Sequence, residues 1–347
     1  MAPYDSAIEL SSLSDAQKEA RVKEAVQRAG AALRARHPWL LHQDAIGAAI
    51  MAFAVAGMIA SGWLYVAGAI PFWACIPLSA FFASLTHELE HDLIHKMYFR
   101  NRPFAHHLML ALAWLARPST INPWIRRHLH MEHHKHSGTA RDREERGITN
   151  GERWGLRRLL MVGDNIMAAL LRLHRLPGWK ARGKGLALLL AVYAPLGLLN
   201  WGAWYAFLAY HAVNGAAGLL GHPLAWPAAT QQAMALVDTA VVVLVAPNVL
   251  RTFCLHFISS NMHYYGDVED GNVIQQCQVM NAWWLAPLQL FCFNFGSTHG
   301  IHHFYVKEPF YVRQWTAGAG HAAMREVGVR FNDFGTFRRA NRRGAAA

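Results

Sequence analysis

Charge is what this chain has least of. Between Ala45 and Thr86 there is no Asp, Glu, Lys or Arg, and between Gly185 and Val237 there is again none. Charged residues make up 16% of the 347, against roughly 25% in a soluble globular protein. A bilayer core takes about 20 apolar residues per helical crossing. Each uncharged stretch therefore has room for two crossings, and a soluble globular fold is excluded. Cysteine is scarce as well. Cys75, Cys254, Cys277 and Cys292 stand far apart with no CxxC pair, which indicates neither a disulfide framework nor a thiolate metal site. A cleavable leader is not expected, because the first forty residues are polar and charged ("LSDAQKEARVKEAVQRAG"). No internal repeat or low-complexity domain stands out.

The charge that is present lies to one side. Of 33 Lys and Arg, eighteen fall between Lys96 and Lys184, six before Ala45 and nine from Arg251 onward, whereas "HAVNGAAGLLGHPLAWPAATQQ" has none. The formal charge of +11 thus reads as the positive-inside pattern of a membrane protein, with attraction to anionic headgroups, and no nucleic-acid partner is expected. The expected fold is an all-α integral membrane protein with four transmembrane helices at about 45–61, 65–87, 186–210 and 233–254. A cytosolic helical cap (96–184 and 256–315) carries the histidines. A cytosolic amphipathic segment (1–44) precedes the membrane domain (45–315), and a basic cytosolic tail (316–347) follows it. "FAHHLMLALAWLA" at 104–116 is too short to cross and is expected in the interface. Residues 272–306 are expected to form a re-entrant or interfacial element. The N- and C-termini and the site would then face the cytoplasm of a multi-pass cell-membrane protein.

The 21 histidines cluster. His87, His91 and His95 in "THELEHDLIHK" recur every fourth residue, following one helical face with modest drift. "HLHMEHHKHSG" gives His130, His133 and His134, and "STHGIHHF" repeats that spacing at His299, His302 and His303. His263 sits in "SSNMHYYGD", just beyond the fourth helix. Taken alone, HELEH is also the HExxH zinc protease pattern, with His87 and His91 as ligands and Glu88 as general base; a lone HxxHH is equally an ordinary pair of surface histidines. Two HxxHH motifs and an HxxxH on one membrane face supply more imidazoles than the four ligands of one zinc, enough for two ions with open positions. Imidazole suits Fe, Zn, Cu and Ni alike.

With these motifs on the page, the chain resembles the membrane fatty acid desaturase and hydroxylase superfamily, from the first helix to about residue 315. The resemblance implies two non-haem iron ions ligated by His87, His91, His130, His133, His134, His263, His299, His302 and His303, with no catalytic side chain beyond the ligands. His95, Asn261 and His256 are further candidates, Asn261 because it lies near an asparagine that holds a metal-bound water in acyl-CoA desaturases. Glu88, Glu132 and Asp267 are expected to orient imidazole N–H groups. Two departures point to a side branch: HELEH is closer to the alkane hydroxylase form of the first box, and the third continues "HHFYVKEPFY" where HHxFP is usual.

The implied reaction is O2-dependent oxidation of a fatty acyl chain, with desaturation the expected outcome. The alternatives are 1-alkene formation by decarboxylation of a fatty acid, hydroxylation, and a catalytically inactive relative. Outside the class stands the zinc protease. Electrons would come from a separate ferredoxin or rubredoxin with its reductase, because no haem or flavin domain is visible; the basic face could steer an acidic carrier. Arg126 and Arg127, one turn before His130, are placed to hold a carboxylate, CoA or a carrier phosphate.

Overall fold

The computed structural model describes residues 12–144 and 151–344. Among them the chain is helical, with no strand beyond two isolated bridges, His263 to Cys277 and Val279 to Phe331.

α1 (Asp15–Arg36) starts at a reciprocal cap in which the Ser14 hydroxyl accepts from the Gln17 amide while the Gln17 side chain accepts from the Ser14 amide. α2 (Gln43–Val66) and α3 (Phe72–Ile94) form an antiparallel pair. Their approach needs small residues: a Cβ on Gly57 would lie 2.4 Å from the Phe82 ring. α4 (Pro103–Ala116) is the short apolar helix, and α5 (Pro123–His136) begins with Asn122 accepting from the Trp124 amide. α6 (Leu156–Gly163) and α7 (Asn165–Leu173) lead into α8 (Gly178–Tyr193) and α9 (Leu196–Leu219). α10 runs unbroken over Ala228–Met262. α11 (Phe295–Phe304) and α12 (Phe310–Glu326) close the cap.

Two prolines shape the apolar helices. Pro195 leaves Ala194 extended, at φ −69° and ψ 147°, as the steric demand of the proline ring requires. α8 and α9 consequently meet at a bend of 102°, where a single crossing at 186–210 was expected. In α10, Pro247 has no N–H to offer one turn back, and the backbone widens into a π turn over Val241–Val245. Asn248 Nδ2 donates to Leu244 O there and to Ala116 O at the end of α4.

Of the four crossings expected, length and composition alone single out fewer among the described residues. Two helices, α2 and α10, are long and apolar enough to cross a membrane, and three if the bent pair α8–α9 acts as one. α3, expected to cross at 65–87, instead begins after Pro71 and continues to Ile94, and its last turns bury Glu88, Glu90 and Asp92. Large apolar side chains face outward along these helices, Phe53, Ile59 and Trp63 on α2 and Leu199, Leu219 and Leu236 on α9 and α10 among them. Such a surface is stable against lipid tails and not against water. Asp238, inside an apolar run, is paired with His211 Nε2 at 2.8 Å.

The helix α1, within the segment 1–44, is packed on α11 and α12. Val22 and Val26 of α1 share a buried cluster with Ile301 and Phe304 of α11 and Met324 of α12. Arg34 grips the Glu308 carboxylate with two bonds of 3.1 and 2.8 Å, and Arg21 pairs with Glu326. A second cluster, around Leu89, Leu93, Tyr98, Leu110 and Phe310, holds α3, α4 and α12 together. The ends of α3 and α10 and the whole of α5 and α11 are thereby brought to one place.

Candidate metal centre

Nine histidines meet where those four helices converge. His91, His95, His130, His134 and His302 form one group, and His133, His263, His299 and His303 a second; within each, one ring nitrogen per residue lies within 4.8 Å of the others. The groups share a wall. The ring centroids of His134 and His303 are 5.1 Å apart, those of His91 and His299 5.2 Å.

Four of the outward nitrogens are tied down. His130 Nδ1 bonds Glu144 at 2.7 Å, His133 Nδ1 bonds Asp142 at 2.8 Å, His303 Nδ1 bonds Gln276 Oε1 at 3.2 Å and His263 Nδ1 bonds Ser259 O at 3.0 Å. Each acceptor fixes the proton on Nδ1 and leaves Nε2 as a bare lone pair. These lone pairs point at one another. His263 Nε2 lies 3.3 Å from His303 Nε2, and neither nitrogen has a proton to share. Similar contacts, 2.9 to 3.2 Å, join His302 to His95 and His134, His130 to His95 and His134, and His303 to His299.

Facing lone pairs repel unless a cation sits between them. Two nitrogens bound at about 2.1 Å to one ion stand about 3.0 Å apart at a right angle and about 3.4 Å apart at the tetrahedral angle. The observed spacings are those of nitrogens around a metal, and the all-imidazole donor set suits iron among other transition metals.

Burial keeps the site ready for an ion. It pushes His95 down to about 2 and His263 down to about 3, so these imidazoles stay neutral and need lose no proton to bind metal. Burial alone would raise the Glu144 carboxyl, but His130 beside it, with Arg126 also near, holds it well below the usual range and therefore charged.

The expected ligands divide. Eight of the nine fall into the two groups, and His95 joins them. His87 lies outside both: its Nδ1 faces Glu88 at 3.3 Å and its Nε2 faces Arg126 at 3.3 Å. Of the ladder His87–His91–His95, the later pair reaches the centre because α3 enters it from the membrane side, leaving His87 a turn deeper. His256 is also outside the groups, and Asn261 Nδ2 donates to Phe257 O at 2.6 Å. Glu132 is on the surface, bonded to Lys135 at 2.7 Å and near His136, and Asp267 accepts from the Arg343 and Gly344 amides, so neither touches an imidazole of the two groups. Glu88 does, through His87, and it also pairs with Arg313 at 3.4 Å.

The carboxylates that do orient ligands, Asp142 and Glu144, were not singled out from the sequence. The signal was "RDREERG": a burst of acid within a basic segment, immediately after the second histidine motif. Arg313 was missed too; it is buried between Glu88 and Asp92, and Asp92 also accepts from the Phe310 amide and Tyr98 hydroxyl.

The family model for fatty acid desaturases matches residues 67–334, and that range contains every histidine of both groups. The chain belongs to the fatty acid desaturase family. A comparison with curated proteins finds no match. Membership makes this desaturase-family protein an oxidoreductase in a fatty acyl and membrane-lipid setting, and it gives the histidine groups their reading as a metal site in a family known for non-haem iron. An apolar cavity of about 730 Å³ is lined by Phe53, Phe81, Leu85, Gln289, Phe293 and Trp315 among others, with no histidine of either group in its wall. Its size falls within the usual range for small-molecule sites.

Proposed function

We propose that the chain is an O2-dependent, non-haem di-iron oxidase that introduces a carbon–carbon double bond into a fatty acyl chain. The observation that carries this reading is the pair of adjacent histidine groups whose Nε2 lone pairs converge while four of their Nδ1 atoms are held by Asp142, Glu144, Gln276 and Ser259. Five imidazoles would hold one iron and four the other. Bound iron would supply the O2-derived oxidising power that an unactivated methylene requires. The protein's part is placement: Asp142 and Glu144 hold the ligand rings, and the apolar cavity seats the chain away from water. Removing two hydrogens from adjacent carbons consumes one O2 with two electrons and two protons and releases two waters. The electrons come from a separate ferredoxin- or rubredoxin-type carrier and its reductase. In this reading four segments enter the membrane, the α8–α9 pair and α3 included, and the cap and both termini face the cytosol.

One observation favours a second outcome, 1-alkene formation from a free fatty acid with the same electron and O2 balance and CO2 as coproduct. An arginine with no acidic partner among the described residues is buried close to the centre, as developed below. The zinc protease draws no such support, since it needs His87 and His91 on one ion and only His91 is in a group.

The test is gas chromatography–mass spectrometry on a bacterial host expressing the protein with a ferredoxin and its reductase and fed a labelled saturated fatty acid, sampling lipids and headspace together. A double bond in a chain of unchanged length is expected, and a volatile alkene one carbon shorter gives the second outcome. Neither product in iron-loaded cells would refute the acyl-chain reading. His133→Ala and His302→Ala should each abolish the product; full activity in either defeats the ligand assignment.

A further inference from the structure

We propose that Arg251, with Arg126, forms a carboxylate-binding site that holds the acid group of a free fatty acid near the metal centre. This rests on the reading of the histidine groups as that centre.

Arg251 lies on α10 and is 1% exposed. Its Nη2 donates to Thr252 Oγ1 at 3.1 Å, while Nε and Nη1 have no partner. The groups that feel its charge are Arg117, His87 and His256, the thiols Cys254 and Cys292, and, acting on it in turn, Arg126. Among the described residues no carboxylate is engaged with it. The acids of this region are already taken: Glu90 by Arg117 and by Arg126 at 3.2 Å, Glu88 by Arg313, and Glu144 by His130. His256 is only partly buried, is held by the Val162 backbone and is kept neutral by burial of its ring, so it adds no charge to the site.

A guanidinium does not shed its proton, and leaving one buried without a counter-charge is strongly unfavourable. The position therefore calls for an anion from outside the chain. Thr252 takes one of the two Nη2 N–H groups, so the other completes a two-donor edge with either Nε or Nη1, and such an edge fits a carboxylate.

Depth gives the ligand its identity. His87 precedes His91 by four residues and Arg126 precedes His130 by four, each about one turn of 5.4 Å along its helix. Arg251 acts electrostatically on His87 and is acted on by Arg126, so an acid group held on it puts the carboxyl end of the chain toward the centre. The apolar cavity supplies the rest of the seat: Gln289 lines it and accepts from Cys292 Sγ at 3.6 Å, and Cys292 lies within electrostatic reach of Arg251. A lipid phosphate would offer the same oxygens to Arg251, so the test includes one.

The experiment is calorimetric titration of the iron-loaded, full-length protein in neutral detergent with dodecanoate, methyl dodecanoate and dodecyl phosphate, with iron content measured for every sample. Wild type should bind dodecanoate at least tenfold more tightly than the ester. Arg251→Gln and Arg251→Met should bring acid and ester within twofold while iron per chain stays unchanged. Arg251→Met should also raise the melting temperature of the ligand-free protein, because an uncompensated charge is removed. Equal binding of acid and ester by wild type, or discrimination that survives both substitutions, overturns the proposal. So does dodecyl phosphate binding more tightly than dodecanoate in an Arg251-dependent way, which assigns the site to a lipid headgroup. Absence of iron from wild type would count against the metal-centre reading, and the acid-to-ester ratio would still judge the anion site.

Discussion

Asp142→Asn isolates what the carboxylate behind a ligand contributes. Asp142 is fully buried, and its Oδ2 accepts from His133 Nδ1 at 2.8 Å and from the Gly138 amide at 3.2 Å. The substitution keeps shape and volume but removes the charge that makes His133 a stronger donor to metal. Replacing such a partner typically weakens metal binding 10- to 100-fold, which corresponds to about 1.4 to 2.8 kcal/mol. His133 belongs to the smaller group, whose other members are His263, His299 and His303. The loss should therefore fall on one of two ions. Iron per chain should drop from about two toward one across a chelator titration that leaves wild type loaded. Glu132→Gln is the control, because Glu132 bonds only the surface residues Lys135 and His136 and should retain wild-type iron. If Asp142→Asn keeps both ions through the same titration, or Glu132→Gln loses one, the argument from imidazole orientation fails.

His134→Ala should release iron from the larger group while the protein stays folded, read as iron content together with a cooperative melt; a fully loaded variant would contradict the grouping. The chelated protein should lose stability as pH falls. The folded values of His95 and His263, about 2 and about 3, lie below the ordinary 6.5. Between those limits the unfolded chain binds more protons, so stability is complete above pH 6.5 and declines below it. Melting followed from about pH 7.5 to about pH 5 should show the drop, and a flat profile would refute it. Gly296→Ala should destabilise the cap by about 1–3 kcal/mol, since its Cβ would meet Ile258 and Gln289 at 2.7 Å and the Met280 carbonyl at 2.9 Å. An unchanged melting temperature would show that this corner yields freely.

The helical class and most of the centre could be read in the sequence because both depend on local spacing. Histidines three and four apart share a helix face whatever the tertiary fold, and that places His130, His133 and His134, and His299, His302 and His303. Spacing could not choose between overlapping pairs in one ladder. His87, His91 and His95 satisfy it equally, and the depth at which α3 enters the cap decides among them. Contacts between distant segments left no local trace either. Arg313 meets Glu88 and Asp92 across more than 220 residues of chain. Asp142 and Glu144 lie only nine and fourteen residues beyond their histidines, but they are carried on a turn, where no periodicity announces which way a side chain points. The breaks in the apolar segments were half visible. Pro195 and Pro247 stand in the sequence, but whether a proline bends a helix by 102° or merely loosens a turn depends on what packs against it.

The docking of α1 on α11 and α12 bears on how the molecule is made. Arg21 and Glu326 are 305 residues apart, and Arg34 and Glu308 are 274 apart. α1 can therefore settle only after α11 and α12 have been made, a closure whose entropic cost grows slowly with length. His299, His302 and His303 appear in that same final stretch, so a nascent chain carries histidines for most of its synthesis without a complete group. Closure of the α1 contact and completion of both histidine groups become one late event, and a chain halted before residue 303 would present neither.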